Sequence, residues 1–151
     1  MEYTIFSDEY FMSQAIKEAL KALEKDEVPI GAIIVYNNKI IARAHNLTET
    51  LNDATAHAEM QAYTAASETL GSKYLHDCIM YVTLEPCLMC ASAAYWTQIS
   101  KIIYGISDPK KGFTTYRVPV LHPKTTINGG VLANECKELL INFFKRKRKL
   151  M

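Results

Sequence analysis

The run Ile30–Tyr36 is apolar and rich in β-branched residues, and across Asn37-Asn38 it is answered by Lys39–Ala44. Two β-prone runs joined by two residues that tolerate a left-handed backbone form a hairpin. A hairpin is antiparallel, so the sheet that contains it cannot be purely parallel. Upstream, Ser7 followed by Asp8 and Glu9 reads as an N-cap with an acidic first turn, and Met12, Ala15, Ile16, Ala19, Leu20 and Leu23 recur at helical spacing to about Lys25. Downstream, a helix is expected from about Ala56 to Ser67 with Thr55 as cap and Gly71 past its end, then a strand over Ile79–Leu84. Pro86 suits the first turn of a small-residue helix, Cys87–Trp96; a short strand, Lys101–Gly105, follows. Asn134 is expected to cap a last helix from Glu135 to about Arg146. Between them, Ser107–Thr126 holds Pro109, Gly112, Pro119 and Pro123 and forms a long connection, a length that marks functional loops. Strands interleaved with helices, plus one hairpin, predict an α/β fold: a three-layer α-β-α sandwich around a mixed central sheet.

The 151 residues, 49% hydrophobic and 22% charged, suit one domain over 1–151 with a core that needs no disulfide staples. No stretch approaches the roughly 18 apolar residues of a membrane span. Met1 to Lys25 carries Glu2, Asp8, Glu9 and Glu18, unlike a secretory leader, so a cytoplasmic protein with no membrane partner is expected. Lys145, Arg146, Lys147, Arg148 and Lys149 are contiguous; without them the formal charge of +1 becomes −4. That end is either a solvated tail or a patch for a polyanion such as nucleic acid.

Four cysteines in such a chain do not read as a disulfide framework. Cys87-Leu88-Met89-Cys90 by itself fits a redox pair, half a zinc site or two buried cysteines. No second C-x-x-C completes a four-cysteine structural site, and Cys78 and Cys136, isolated on apolar faces, read as core. His57, in Thr55-Ala56-His57-Ala58-Glu59, supplies a third ligand. One histidine and two cysteines leave the fourth zinc position open for water, the arrangement of catalytic rather than structural sites. At a helix start the dipole and unpaired N–H groups favour the Cys87 thiolate, and Cys90 lies one turn on. Glu59, in the first turn after His57, is placed to take a proton from water and return it to a leaving group; the plainer role is a charge on the helix dipole.

His57-Ala58-Glu59 with Pro86-Cys87-Leu88-Met89-Cys90 resembles the signature of the zinc-dependent cytidine/adenosine deaminase superfamily. The resemblance runs along the chain: Glu27-Val28-Pro29-Ile30-Gly31-Ala32, His45-Asn46, Asp53 to Glu59, Tyr81 to Cys87, Gly130 to Cys136 and Phe143-Phe144. Together these segments resemble the bacterial tRNA-specific adenosine deaminases, which convert wobble adenosine to inosine. The resemblance implies a cytidine deaminase-like fold, Zn2+ on His57, Cys87 and Cys90, and Glu59 shuttling the proton for attack at C6. It implies that Asn46 hydrogen-bonds a flipped base whose edge meets the backbone at Ala58 and Leu84, that Val28 and Ile30 wall the pocket, and that Asp108 contacts the anticodon backbone near a 2′-hydroxyl. The final helix, with Phe144 and Lys145–Lys149, would lie beside the tRNA anticodon loop. A homodimer is implied as well.

Two segments depart from that pattern. Phe113-Thr114-Thr115-Tyr116 replaces a run of small residues, and the stretch to His122 is shortened. Ala94-Tyr95-Trp96, with Asn52-Asp53, is similar to guanine deaminases that act on free bases; the plain expectation for Trp96 is a core anchor. The rival readings are therefore a free-base or nucleoside deaminase of guanine or cytosine type with the same zinc site, a non-catalytic zinc-containing RNA-binding module, and a thiol oxidoreductase. His45, His76 and His122 are assigned to loop or surface.

Overall fold

The computed structural model describes residues 2–150. Helix α1 (Asp8–Glu24) is followed by β1 (Gly31–Tyr36), β2 (Lys39–His45), α2 (Ala58–Leu70), β3 (Cys78–Leu84), α3 (Leu88–Thr97), β4 (Lys101–Ile106), β5 (Thr126–Asn128) and α4 (Ala133–Lys149). The strands lie in the order β2-β1-β3-β4-β5. β1 pairs antiparallel with β2 and β3, whereas β3, β4 and β5 run parallel, so the sheet is mixed as expected. Asn37 and Asn38 both have positive φ, 49° and 61°. This is the backbone a two-residue hairpin needs to match strand twist, and asparagine adopts it at low cost.

Alternate residues of each central strand face opposite layers. Ala32, Ile34, Met80, Val82 and Ile102 pack with α2 and α3, while Ile33, Val35, Tyr81 and Ile103 pack with α1 and with Cys136 of α4. Both faces of β1 are thus covered, which is why its sequence is an unbroken apolar run rather than an alternating one. Gly31 sits where α1 crosses β1. A Cβ there would lie 2.1 Å from the Ala15 carbonyl oxygen and 2.5 Å from the Ala19 nitrogen, so Gly31→Ala must push a backbone away. Overpacking of that kind is expected to cost about 3 kcal/mol and about 10 °C of melting temperature by calorimetry. An unchanged transition would mean that α1 is not seated as described.

Local expectations fail in six places. Thr55 does not cap α2: its amide and hydroxyl both bond Asp53 Oδ1, and the N-cap is His57. Pro86 precedes the N-cap of α3, which is Cys87, instead of lying in the first turn. Asn134 lies inside α4, whose N-cap is Leu132 with φ 53°. β5 was not foreseen, because a three-residue strand at the sheet edge has too little pattern to stand out from a loop. Trp96 is no core anchor but is 75% exposed, since α3 turns Cys90, Ala91 and Ala94 inward and that residue outward. The basic end is no disordered tail, for helix α4 continues through Lys149. Cys78 and Cys136 are buried as expected.

Candidate active site

The N-termini of α2 and α3 meet beyond the C-terminal end of β3, the edge at which open α/β sheets bind ligands. His57 and Cys87 are the two N-caps, and neither side chain makes a capping hydrogen bond. Their donor atoms instead point at each other. His57 Nδ1 lies 3.6 Å from both Cys87 Sγ and Cys90 Sγ. Zinc bonds of about 2.3 Å to sulfur and 2.0–2.1 Å to nitrogen, set at the tetrahedral angle, place those atoms about 3.6 Å apart. The three residues therefore fit zinc without rearrangement, and they are the one group of three or more potential ligands that meets this closeness among the described residues.

The electrostatics follow from burial and from the shared hydrogens. The hydrogen bond from Cys90 outweighs burial and, with His57, holds the Cys87 thiol down at about 4. Cys90, keeping the proton, is pushed far above the thiol range by that same bond and by burial. His57 is raised, first by its bond to Cys87. Glu59 is buried, 4% exposed, in the first turn of α2. Burial first, and then the Cys87 thiolate, raise its carboxyl to about 7, partly against its own backbone amide. A carboxyl that changes protonation near neutrality beside a three-ligand metal site is suited to moving protons. Behind the ligands, the buried Tyr63 hydroxyl donates to the Cys90 carbonyl at 2.9 Å.

The ligands open into a cleft of about 720 Å³. Every site residue expected from the sequence lines it except Cys90, which lies fully buried beneath: His57 and Glu59 on α2, Cys87 before α3, and Val28, Ile30, Asn46, Ala58, Leu84, Asp108 and Phe144 around them. Asn46 is buried; its amide N–H donates to the Ile30 carbonyl at 3.1 Å and its side-chain Nδ2 lies 3.5 Å from the Thr48 hydroxyl. The Asp108 carboxylate accepts the amides of Lys110 and Lys111 at 3.1 and 3.0 Å, which folds its own loop.

Sequence reasoning missed the rest of the wall. Lys137, Leu140 and Ile141, together with the expected Phe144, present one stripe of α4 to the cleft. Their i, i+3, i+4, i+7 spacing was visible but did not say what the stripe faces. Two buried glutamates were also missed. Glu27 accepts the amides of Glu49 and Thr50, and Glu85 reaches across to the 108–114 loop. His45 is not a surface residue: only 12% exposed, it closes β2 with Nδ1 3.6 Å from Glu18 and Nε2 3.1 Å from Lys25 Nζ. His76 is exposed beside Gln98, and His122 lies in the long connection. In the basic run, Arg146 and Lys147 pair with Asp26 and lie over the Phe143 ring, while Lys145, Arg148 and Lys149 are exposed.

A mixed sheet that brings two helix N-termini together over a His-Cys-Cys triad and a buried glutamate defines a zinc-dependent deaminase. The chain belongs to the cytidine and deoxycytidylate deaminase family, with residues 6–106 matching that family's zinc-binding region. It is 46% identical over 147 residues to the tRNA-specific adenosine deaminase of Bacillus subtilis (strain 168), covering 94% of this chain and 91% of that protein. A solved structure from studies of A-to-I editing by tRNA:A34 deaminases at the wobble position of transfer RNA superposes with TM-score 0.81 at 42% identity, covering 87% of this chain and 99% of the other. The guanine deaminase of Bacillus subtilis is similar over less, with TM-score 0.65 at 38% identity, 68% of this chain and 66% of that one. No described helix is long and apolar enough to cross a membrane.

Proposed function

We propose that this protein is a zinc-dependent hydrolase that deaminates adenosine to inosine at the wobble position of tRNA. The observation that carries the hydrolytic part is the buried Glu59 carboxyl beside the His57-Cys87-Cys90 cluster on the floor of an open cleft. The RNA part is supported by the tRNA-specific relatives and by cations at the cleft, Lys111 and Lys137, continued by the exposed basic residues of α4. A free purine needs none of these, whereas phosphates favour them.

His57, Cys87 and Cys90 would hold zinc, which would supply Lewis-acid chemistry and lower the pKa of water towards about 7. Glu59 accepts one proton from the attacking water and delivers it to the purine ring nitrogen N1, then passes the second, from the new C6 hydroxyl, to the departing amine. The C6–O bond forms, the C6–N bond breaks, and adenosine and water become inosine and ammonia. The adenine must leave its stack to reach this floor, and Asn46, which both donates and accepts, suits its polar edge. The backbone at Ala58 and Leu84 meets that edge, Val28 and Ile30 wall the ring, and Asp108 and Phe144 stand at the flanking nucleotides. Incubation of the zinc-loaded protein with an anticodon stem-loop bearing wobble adenosine is expected to yield inosine, with free guanine, adenine, cytosine and cytidine untouched. Turnover of a free base with an intact stem-loop would establish the rival reading instead.

The protein acts in the cytoplasm as a homodimer in this reading. Support for the dimer comes from the outer face of α3 and the connection beside it, where Trp96 of the helix and Val118 of the connection are 75% and 64% exposed and Tyr95 adjoins them. Exposed aromatic patches of this kind are characteristic of interfaces. Trp96→Glu is expected to shift the protein from dimer to monomer in light scattering; a dimer that survives this change would place the contact elsewhere.

A further inference from the structure

The loop that carries Asp108 to the cleft is fastened by one side chain outside the metal cluster. Glu85, 3% exposed, directly follows the last residue of β3 and lies two residues before Cys87. Its Oε1 accepts the Asp108 amide at 3.1 Å, and its Oε2 accepts the Thr114 amide at 3.0 Å and the Thr114 hydroxyl at 2.7 Å. Three donors converge on one carboxylate, and all three belong to the 108–114 loop. Gly112 lies against the same carboxylate, for a Cβ there would sit 2.2 Å from Oε2. The Phe113 amide donates to the Pro86 carbonyl at 2.9 Å, and Cys87 bridges to Gly112, so the fastening is continuous with the metal-bearing segment. This is also where the Phe113–Tyr116 sequence departs from the small-residue pattern. The departure is accommodated by burying Phe113, 7% exposed, while Thr114 supplies two of the three donors.

We propose that Glu85 is a positioning residue that presents Asp108 and the rim of the cleft to the polynucleotide, and so sets the affinity for RNA without taking part in proton transfer. The proposal rests on the tRNA reading for its substrate. An ionised carboxylate only accepts hydrogen bonds, which is what three converging donors require. Glutamine in its place turns one oxygen into an NH2 that faces a donor, so it keeps one side of the fastening and opposes the other. Hydrogen bonds to a charged group are strong enough that losing the set is expected to raise KM by about tenfold or more.

The test compares Glu85→Ala, Glu85→Gln, Thr114→Val and Gly112→Ala with the parent protein in full zinc occupancy. Each is assayed for kcat and KM on the stem-loop and for hydrogen exchange at the Asp108 and Thr114 amides. Glu85→Ala and Gly112→Ala are expected to raise KM by about tenfold with kcat within about threefold, and to speed exchange at both amides. Glu85→Gln should fall between them and the parent, and Thr114→Val, the mildest change, should raise KM by about threefold. A fall in kcat at unchanged KM, loss of zinc, or kinetics and exchange that do not move would overturn the proposal. If the parent leaves the stem-loop untouched, the tRNA reading fails by itself, and slow amide exchange that stays slow in Glu85→Ala overturns the positioning role separately.

Discussion

Glu59→Gln is expected to lower turnover by at least about 10³-fold while zinc content and RNA binding stay at parental levels. The substitution keeps the size of the side chain and its place in the first turn of α2, but an amide cannot hold the proton that must travel from water to the departing amine. Single-turnover inosine formation, metal analysis and a filter-binding isotherm separate these effects. Retained turnover would move the proton relay to another group, and a variant that lost zinc would make Glu59 a structural partner of the ligands. The same variant carries a stability signature in zinc-free protein. Burial raises the Glu59 carboxyl to about 7 from the usual 4.5. A raised acid lowers folded-state stability as pH climbs through that interval, so the advantage of Glu59→Gln over the parent is absent below about pH 4.5 and complete above about pH 7. Its full size is on the order of 3 kcal/mol, read as a difference in denaturant midpoints.

Stripping zinc with a chelator is expected to abolish turnover and to lower the melting temperature, and restoring zinc should recover both. A ligand that binds only the folded state stabilises it by mass action, about 4 kcal/mol when present at 1,000 times its dissociation constant, or about 10 °C for a chain of this size. Affinity should weaken as pH falls, because the ion competes with protons for two thiolates and an imidazole. The competition is sharpest at Cys90 and His57, whose protons are held more tightly than usual, and weakest at Cys87, already a thiolate above about 4. Cys87→Ser and Cys90→Ser should each reproduce the zinc-free phenotype. Full activity after exhaustive chelation would exclude the metal-centred mechanism, and reversible disulfide formation coupled to turnover would revive the thiol reading.

The parts of the site that were legible before the fold was known are those whose chemistry is written in short spacing. Cys87 and Cys90 are one helical turn apart, and His57 and Glu59 sit in one turn at a helix start, so local geometry alone brings each pair to one end of its helix. The hairpin was equally plain, since Asn37-Asn38 names its own turn. Asn46, Leu84 and Asp108 were placed by resemblance, and their convergence on one cleft follows from strand order, because β2, which Asn46 follows, lies beside β1, and β1, β3 and β4 are neighbours in space though separated in sequence.

What stayed hidden depends on long-range contact. Trp96 is an aromatic residue in an apolar helix and reads as core, yet α3 has only one side to bury and turns it outward. Glu27 and Glu85 look like ordinary surface acids in a string of letters, and nothing nearby says that the backbone amides of loops 22 to 29 residues away converge on them. The amino-acid sequence by itself determined the order of the elements other than β5, the mixed sheet and the metal chemistry, because periodicity and turn geometry act over a few residues. Only the tertiary structure decided which face of each helix is buried and which carboxylates hold the rim of the cleft, since burial and hydrogen-bond partners are properties of the packed chain.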